Sequence, residues 1–275
     1  MFTLTGFADE IAFDLGEQIA LLTKLGIKHV EFRSAWRTKV LDLSDEQLSE
    51  AKRMLDAAGI TLSSVGSDIG KIQITDSFED HLERARDAVE VAKFFGAPYI
   101  RMFSFFIREG DDPDSHRDEV MRRTRAFVDL AEAGGITMLH ENEKDIFGDI
   151  PRRVVDLVTT MDSPAYRAIV DPANYVQCGV NPRDEAYDLV RPYTDYIHIK
   201  DAKFVDNSVV PAGEGDGQVR EVIRALRDDG YDGFLSIEPH LGQFDAFGGL
   251  CGPDLWTTAY DALTGILRSE GIEWA

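Results

Sequence analysis

The sequence predicts an α/β fold, a single (β/α)8 TIM barrel that spans residues 1–275 and carries its active site at the C-terminal rim. Two observations favour this architecture. Helical runs that end in glycine are repeatedly followed by short apolar segments, and eight such segments alternate with helices. No linker-like break divides the chain, so one closed barrel is favoured over two domains. An open sheet with fewer strands is the alternative topology.

The repeat is clearest where the helices end. The five junctions are Leu25-Gly26-Ile27, Ala58-Gly59-Ile60, Phe95-Gly96-Ala97, Gly134-Gly135-Ile136 and Asp229-Gly230-Tyr231. Glycine takes the left-handed backbone conformation without a steric penalty, so each junction is predicted to stop a helix. The first four lie 33, 37 and 39 residues apart, about the length of one βαβ unit.

The segments on either side of these glycines differ in periodicity. Apolar residues recur at helical spacing over 15–25 and 48–58, and Ser44 with Gln47 resembles a capping box that starts the second helix. The predicted strands are Thr3–Ala8, Lys28–Arg33, Thr61–Gly66, Tyr99–Phe103, Ile136–Glu141, Arg167–Asp171, Tyr196–Lys200 and Phe234–Glu238. These strands are short and mostly apolar because both faces of a parallel sheet are buried.

Charge and composition exclude several classes of protein. The formal net charge of −21 opposes binding to nucleic acid and to anionic membranes, so neither is an expected partner. No stretch is long and apolar enough to span a bilayer, and the first six residues do not resemble a signal peptide. Cys178 and Cys251 are too few for a disulfide framework. We therefore expect a cytoplasmic protein.

Ionisable residues stand where four consecutive predicted strands end. They are Glu141, Asp171, His198 and Glu238. The C-terminal ends of barrel strands meet at one rim, so these side chains are expected to converge, and converging carboxylates repel unless a cation neutralises them. Oxygen ligands with one imidazole suit Mn²⁺, Mg²⁺, Co²⁺ or Zn²⁺. The alternative is a set of unrelated strand-end charges.

The alternation of side chains along a strand refines the choice of residues. If His198 faces the barrel lumen, Tyr196 and Lys200 share its face. If Glu141 faces the lumen, His140 points into the helix layer, and we therefore expect His140 to be a packed structural residue.

The same residues carry a resemblance to a known superfamily. The motifs are Leu139-His140-Glu141-Asn142, Asp171-Pro172-Ala173-Asn174, His198-Ile199-Lys200-Asp201, Pro211-Ala212-Gly213-Glu214-Gly215-Asp216 and Ile237-Glu238-Pro239. In this order the set resembles the xylose isomerase-like TIM barrel superfamily of sugar isomerases and epimerases, also called the apurinic endonuclease family 2 fold. The resemblance implies one divalent metal ion, with Mn²⁺ expected first, and an assembly that is a homodimer or homotetramer.

The resemblance also implies roles for individual residues. Glu141, Asp171, His198 and Glu238 would bind the ion, and in the ketose 3-epimerase branch the two ligand glutamates also exchange the substrate proton. The chain differs from that branch at two places, since Asn174 stands where it has a histidine and Lys200 lies near the position of its arginine. These differences separate the chain from a simple ketohexose epimerase.

Five further residues are candidates for substrate binding. They are Arg33, Arg101, Asn174, Lys200 and His240. Each basic residue has a structural alternative: the arginines as ion-pair partners of Glu31 or Glu10, Lys200 as a partner of Asp201 or Glu238, and His240 as a donor to a loop carbonyl.

The acidic side chains of the glycine-rich loop bear on the substrate. Glycine-rich backbone near the last two barrel strands often binds phosphate, but Glu214 and Asp216 oppose an anion there, although Lys71, Arg33 or Lys203 would offset them. We therefore expect an unphosphorylated keto-sugar or polyol, a small-molecule carbohydrate. The expected reaction is isomerisation or epimerisation by α-proton transfer through a metal-stabilised enediolate.

Three alternatives stay open at this point. A dehydratase or other lyase of the same superfamily, acting on an inosose or a keto-glycoside, uses the same ion and the same α-proton abstraction. A DNA-repair endonuclease is disfavoured by the acidic charge and by the small number of histidines, six in all. A non-catalytic sugar-binding barrel would not need both Glu141 and Glu238.

Overall fold

Eight parallel strands form a nearly closed barrel in the computed structural model, which describes residues 1–245 and 248–275. The strands are β1 Thr3–Gly6, β2 His29–Phe32, β3 Thr61–Ile69, β4 Tyr99–Met102, β5 Thr137–Glu141, β6 Tyr166–Val170, β7 Thr194–Ile199 and β8 Phe234–Ile237. Each is hydrogen-bonded to the next from β2 to β8, and β8 pairs in turn with β1. Within the described residues no ladder joins β1 to β2. The predicted barrel is confirmed, and the open sheet is wrong.

One helix follows each strand and covers the outside of the barrel. The helices are α1 Leu15–Leu25, α2 Asp45–Ala58, α3 Glu79–Phe95, α4 Arg117–Gly134, α5 Pro151–Met161, α6 Pro172–Gln177, α7 Val219–Asp228 and α8 Gly252–Ser269. The connection between β6 and β7 adds a single π-helical turn over Pro182–Tyr187 after the short α6.

The predicted helix ends are confirmed. The cap residues Gly26, Gly59, Gly96 and Gly135 all take the left-handed conformation, with φ between 67° and 77°. Gly230 also has a positive φ and lies one residue beyond the last cap of its helix. The predicted capping box of α2 is present, with both reciprocal hydrogen bonds between Ser44 and Gln47. None of the helices in the described part of the chain is both long and apolar enough to cross a membrane.

Two layers of apolar side chains hold the barrel together. The larger layer packs between strands and helices, and it includes the fully buried Trp256, whose indole N–H donates to the Phe7 carbonyl at 3.1 Å. The smaller layer fills the lumen with Leu139, Ile169 and Tyr196. Burying one such side chain stabilises the fold by about 1.5–3 kcal/mol. The filled lumen places a site at the rim above it and not inside the barrel.

The strand ends match the prediction closely, with one exception. The third strand was expected to stop at Gly66 but continues to Ile69, which pairs with Met102 on β4. A β-carbon on Gly66 would lie 3.0 Å from both Arg33 and Phe7, so this glycine permits close packing and does not end the strand.

Candidate metal centre

The four predicted ligand residues meet at the C-terminal rim. Glu141 ends β5, Asp171 follows β6, His198 lies near the end of β7, and Glu238 follows β8. All four are buried, with at most 2% of the residue exposed. One ligand atom from each lies within 4.8 Å of those of the other three. The prediction that these side chains converge is confirmed.

The arrangement of lone pairs at this point fits a cation. The Nδ1 atom of His198 lies 3.2 Å from Glu141 Oε1, 3.5 Å from Glu238 Oε2 and 3.8 Å from Asp171 Oδ2. This nitrogen makes no aligned hydrogen bond within the described residues. Burial lowers the pKa of His198, but Glu141 and Glu31 outweigh it and raise that pKa well above its ordinary value. The cluster therefore attracts positive charge at Nδ1, either a proton or a metal ion.

The segment that follows β6 explains how Asp171 is held. Its Oδ1 accepts the Asn174 amide N–H at 2.9 Å as the N-cap of α6, and Pro172 occupies the first turn of that helix. The Asn142 side chain accepts from the Asp171 N–H at 2.9 Å and donates to the Asp171 carbonyl at 3.1 Å. Helix capping thus fixes one carboxylate oxygen and leaves the other for the cluster.

Asn174 also contacts Glu141, one of the four clustered residues. Its side-chain nitrogen donates to Glu141 Oε1 at 3.1 Å and to the Asn142 carbonyl at 2.8 Å. The structure therefore places this predicted substrate-binding residue beside a ligand carboxylate, where it orients Glu141.

Lys200 adds a fixed positive charge to the cluster. Its ammonium lies 2.7 Å from Asp171 Oδ2 and 2.7 Å from Glu238 Oε2. Burial lowers the pKa of Lys200, but these two carboxylates raise it above its ordinary value, so the side chain stays charged. The structural alternative for Lys200, a pairing with Asp201 or Glu238, is met through Glu238, since the Asp201 carboxylate is held by loop amides.

Two arginines, Arg101 buried and Arg33 half-buried, lie beside Glu141 and Glu238. Arg33 binds Asp9 through two hydrogen bonds of 2.8 and 3.0 Å, and it lies 3.2 Å from Glu10. Arg101 donates to Glu141 Oε2 at 3.2 Å. Both guanidinium groups also approach Glu238 Oε1, at 3.6 and 3.7 Å. The predicted ion pair between Arg33 and Glu10 is confirmed, while Arg101 pairs with a ligand glutamate.

His240 lies between two carboxylates. Its Nε2 is 3.1 Å from Glu10 Oε1 and 3.2 Å from Glu238 Oε1, and its backbone N–H donates to Glu10 Oε2 at 2.8 Å. Its backbone has a φ of 46°, a conformation that residues other than glycine keep only when their surroundings impose it. A cavity of about 500 Å³ opens beside the cluster and is lined by Lys200, His240, Asn174 and Lys144 among others.

Sequence and structure comparisons now place this geometry in a family. Residues 19–257 match the family described as xylose isomerase-like TIM barrel. The chain belongs to this family. A relative from Actinoplanes sp., a 2-epi-5-epi-valiolone 7-phosphate 2-epimerase, is 30% identical over 182 residues, which cover 65% of this chain and 64% of the relative.

Two further comparisons agree with the family. A 3-dehydroshikimate dehydratase from Bacillus anthracis is 23% identical over 189 residues, which cover 62% of this chain and 66% of that protein. The chain thus spans just under two thirds of the length of both curated relatives. The solved structure of the IOLI protein with a bound zinc atom has a TM-score of 0.78 at 15% identity, over 98% of this chain and 99% of that one. The related proteins include enzymes, and the barrel's acidic cluster suits a metal ion.

Sequence reasoning overlooked the role of one glutamate of this barrel. Glu31, in the middle of β2, is fully buried, and its Oε2 accepts from His198 Nε2 at 3.1 Å and from Ser236 Oγ at 2.7 Å. It was considered only as a partner for arginine. The available signal was a carboxylate inside an apolar strand, because a buried charge requires partners.

The glycine-rich loop holds a carboxylate of the chain itself. Asp201 accepts backbone N–H groups from Ala202, Gly213, Gly215 and Gly217 at 2.8–3.1 Å. A β-carbon on Gly217 would lie 2.6 Å from Asp201 Oδ1, so glycine is required for this approach. The amides that would bind a phosphate in such a loop are therefore already occupied.

Proposed function

We propose that this chain is a divalent-metal-dependent sugar isomerase or epimerase that acts on an unphosphorylated keto-sugar or polyol. The observation that carries the proposal is the position of Glu141 and Glu238, whose carboxylates both approach the Nδ1 atom of His198, at 3.2 and 3.5 Å. Two such carboxylates supply a base on one side of a bound substrate and an acid on the other. That pair is what α-proton transfer requires.

The residues that would hold the ion are Glu141, Asp171, His198 and Glu238. Three carboxylates and one imidazole suit Mn²⁺, our first choice, and also Mg²⁺, Co²⁺ or Zn²⁺. When bound, the ion would supply the positive charge that stabilises an enediolate.

Both glutamates are ionised, as a general base must be before it accepts a proton. Burial raises the pKa of Glu141, but His198 and Arg101 outweigh it and hold that pKa at about 2. Burial likewise raises the pKa of Glu238, but Lys200 and His240 hold it well below its ordinary value. Both side chains are therefore ionised at neutral pH. Either can accept the α-proton and, once protonated, return it to the neighbouring carbon. Protonation of the opposite face would come from the other glutamate after it has taken a proton from solvent.

The basic residues around the cavity would bind the substrate oxygens. Lys200 and His240 line the opening, and each contacts Glu238, at 2.7 and 3.2 Å. Asn174, which also lines the cavity, and Arg33 and Arg101, which approach Glu238 Oε1, complete the proposed substrate-binding set. In this arrangement, hydroxyl and carbonyl groups meet charged donors next to the proton-transferring carboxylates.

The occupied amides of the glycine-rich loop support a preference for an unphosphorylated substrate. The amides of Gly213, Gly215 and Gly217 all point at Asp201, so they are not free to bind an anion. The Actinoplanes relative is named for a 7-phosphate substrate, so this proposal separates the two proteins.

Dehydration is the second candidate reaction. The Bacillus anthracis relative is a dehydratase, and the cationic Lys200 lies beside the carboxylate of Glu238. In that case a glutamate would take the α-proton, and a neighbouring acid would protonate the β-hydroxyl as it leaves as water. An endonuclease is disfavoured by the net charge of −21. The homo-oligomer and the cytoplasmic location stay predictions.

A product-resolved screen in deuterated water tests the proposal. The protein is stripped with EDTA, reloaded with Mn²⁺ and incubated with keto-sugars, inososes and keto-glycosides. Deuterium at the α-carbon without loss of mass supports isomerisation, and loss of water supports the lyase. Turnover should vanish after stripping and return with the ion.

Variants of the two glutamates separate an enzyme from a binder. Glu141→Gln and Glu238→Gln should each lower turnover by at least 10²-fold, the lower range of a general acid or base. Glu270→Gln is the charge-matched control, because Glu270 pairs with Arg220 and Arg224 beyond the end of α8. Full activity in both site variants, or sugar affinity with no turnover on any substrate, would contradict the proposal.

A further inference from the structure

Glu31 is a buried carboxylate that the proposed reaction does not use. It is fully enclosed in β2, and it does not belong to the four-residue ligand cluster. Its Oε2 accepts from the ring nitrogen Nε2 of His198 at 3.1 Å and from the Ser236 hydroxyl at 2.7 Å. Placing an ionised carboxylate in a barrel interior costs several kcal/mol unless it is paired, by the order of magnitude known for buried ions. Its partners therefore indicate what it does.

We infer that Glu31 is a positioning residue, which fixes the ring of His198 so that Nδ1 faces the metal site. The inference rests on the proposed metal-dependent function. A carboxylate accepts hydrogen bonds only, so the contact with Glu31 keeps the proton of His198 on Nε2. The other nitrogen, Nδ1, is the one that lies 3.2–3.8 Å from the three ligand carboxylates. When an ion binds, it replaces any proton on Nδ1 while Nε2 keeps its own.

Hydroxyl groups hold Glu31 in place beneath the cluster. Ser236 stands directly beside His198 in the ladder between β8 and β7. The Tyr196 hydroxyl lies next to Glu31 and Ser236 and contacts Ser63 Oγ at 2.9 Å. All of these groups are fully buried. The carboxylate thus has little freedom to move away from the imidazole.

Aromatic rings restrict the imidazole from the sides. The Phe7 ring meets the His198 ring edge-on at a centroid distance of 5.3 Å, and the Tyr196 ring meets it at 5.9 Å. These contacts limit translation of the ring, but they do not select which nitrogen carries the proton. Among the contacts of the described residues, the hydrogen bond to Glu31 is the one that favours a proton on Nε2.

Metal affinity measured without any substrate tests the inference. Glu31→Gln keeps the volume of the side chain and removes its charge. Isothermal titration of the stripped protein with Mn²⁺ should show a Kd that is about 10–100 times higher than in the wild type, the effect known for partners of ligand histidines. Glu270→Gln removes the same charge beyond the last turn of α8, where Glu270 pairs with Arg220 and Arg224, and should change the Kd by less than about twofold.

Nitrogen NMR of the Zn²⁺-loaded protein gives a second readout. In the wild type, His198 should show a proton on Nε2 that exchanges slowly with solvent, and an Nδ1 resonance shifted by the metal. In Glu31→Gln the Nε2 proton should exchange at least about tenfold faster, because a charge-assisted hydrogen bond has been lost.

The outcomes distinguish this inference from the proposed function. An unchanged Mn²⁺ affinity in Glu31→Gln, or an equal loss in Glu270→Gln, would overturn the role of Glu31 and leave the function standing. A selective loss of affinity in a protein that turns over none of the substrates would support Glu31 and overturn the function. A wild type that takes up no ion overturns both. If Glu31→Gln does not fold, Ser236→Ala replaces it, and an unchanged affinity there counts against the inference.

Discussion

Replacing Asp201 by asparagine should loosen the glycine-rich loop beside the site. Each carboxylate oxygen accepts two backbone N–H groups: Oδ1 from Ala202 and Gly217, and Oδ2 from Gly213 and Gly215. An asparagine has only one side-chain oxygen, so either orientation turns an N–H₂ group toward two donors. Two charge-assisted hydrogen bonds are lost, at roughly 1.5–3 kcal/mol each. Because water can solvate the opened loop, we expect a net destabilisation of about 3 kcal/mol.

Urea unfolding and hydrogen exchange measure this effect. The unfolding midpoint should fall, and the amides of 213–217 should exchange about 100-fold faster if the loop opens at a cost lower by that amount. Asp216→Asn is the matched control, because the Asp216 carboxylate accepts one amide, that of Phe204 at 2.8 Å, and should cost below about 1 kcal/mol. An Asp201→Asn protein with a wild-type midpoint and wild-type exchange would refute the reasoning.

Two further perturbations test how the barrel is held outside the site. Burial raises the pKa of Asp68, but its bonds to Arg84 and Lys39 outweigh burial and lower that pKa to about 2. The ionised Asp68 therefore stabilises the folded protein at pH values above the pKa it has in the unfolded chain, and this stabilisation is lost as the pH falls through the pKa of the folded state. Asp68→Asn should lower the free energy of unfolding at pH 7 by about 1–2 kcal/mol, after allowance for the partial exposure of Asp68. Equal urea midpoints for the wild type and the variant at pH 7 would contradict this. Gly70→Ala should lower the free energy of unfolding, measured by thermal unfolding, by about 3 kcal/mol or more, because φ is 89° and the added β-carbon would meet the Phe103 carbonyl. Gly59→Ala is the control: its β-carbon meets nothing within 4 Å, so it should lower the free energy of unfolding by only about 1 kcal/mol.

The convergence of Glu141, Asp171, His198 and Glu238 could be predicted from the sequence because it follows from chain order. Parallel strands end at one rim, so the residues that follow β5 to β8 are neighbours whatever the loops do. The same alternation placed Lys200 on the face of His198, and it sent His140 outward, where its Nε2 contacts Ser104 Oγ at 2.9 Å. Local periodicity was sufficient for these residues.

The residues that support the cluster could not be predicted in this way. Glu31 meets His198 and Ser236 across 167 and 205 positions of sequence, and nothing local specifies which of several inward carboxylates lies under the imidazole. Of the two partners considered for Lys200, it contacts Glu238 and not Asp201, for a local reason. Neighbours in a strand point to opposite faces, so adjacency in sequence separates their side chains.

Glu141 and Glu238 each have an inner carboxylate oxygen that faces His198 and an outer one that faces away from it. Arg101 binds the outer oxygen of Glu141, and His240 approaches the outer oxygen of Glu238, at 3.2 Å in both cases. The inner oxygens are directed at His198, and that of Glu238 also lies 2.7 Å from the Lys200 ammonium. Without these cations the converging carboxylates would protonate or move apart. Arg101, His240 and Lys200 therefore keep both glutamates ionised while their inner oxygens stay grouped around His198 Nδ1, an arrangement that suits a metal ion.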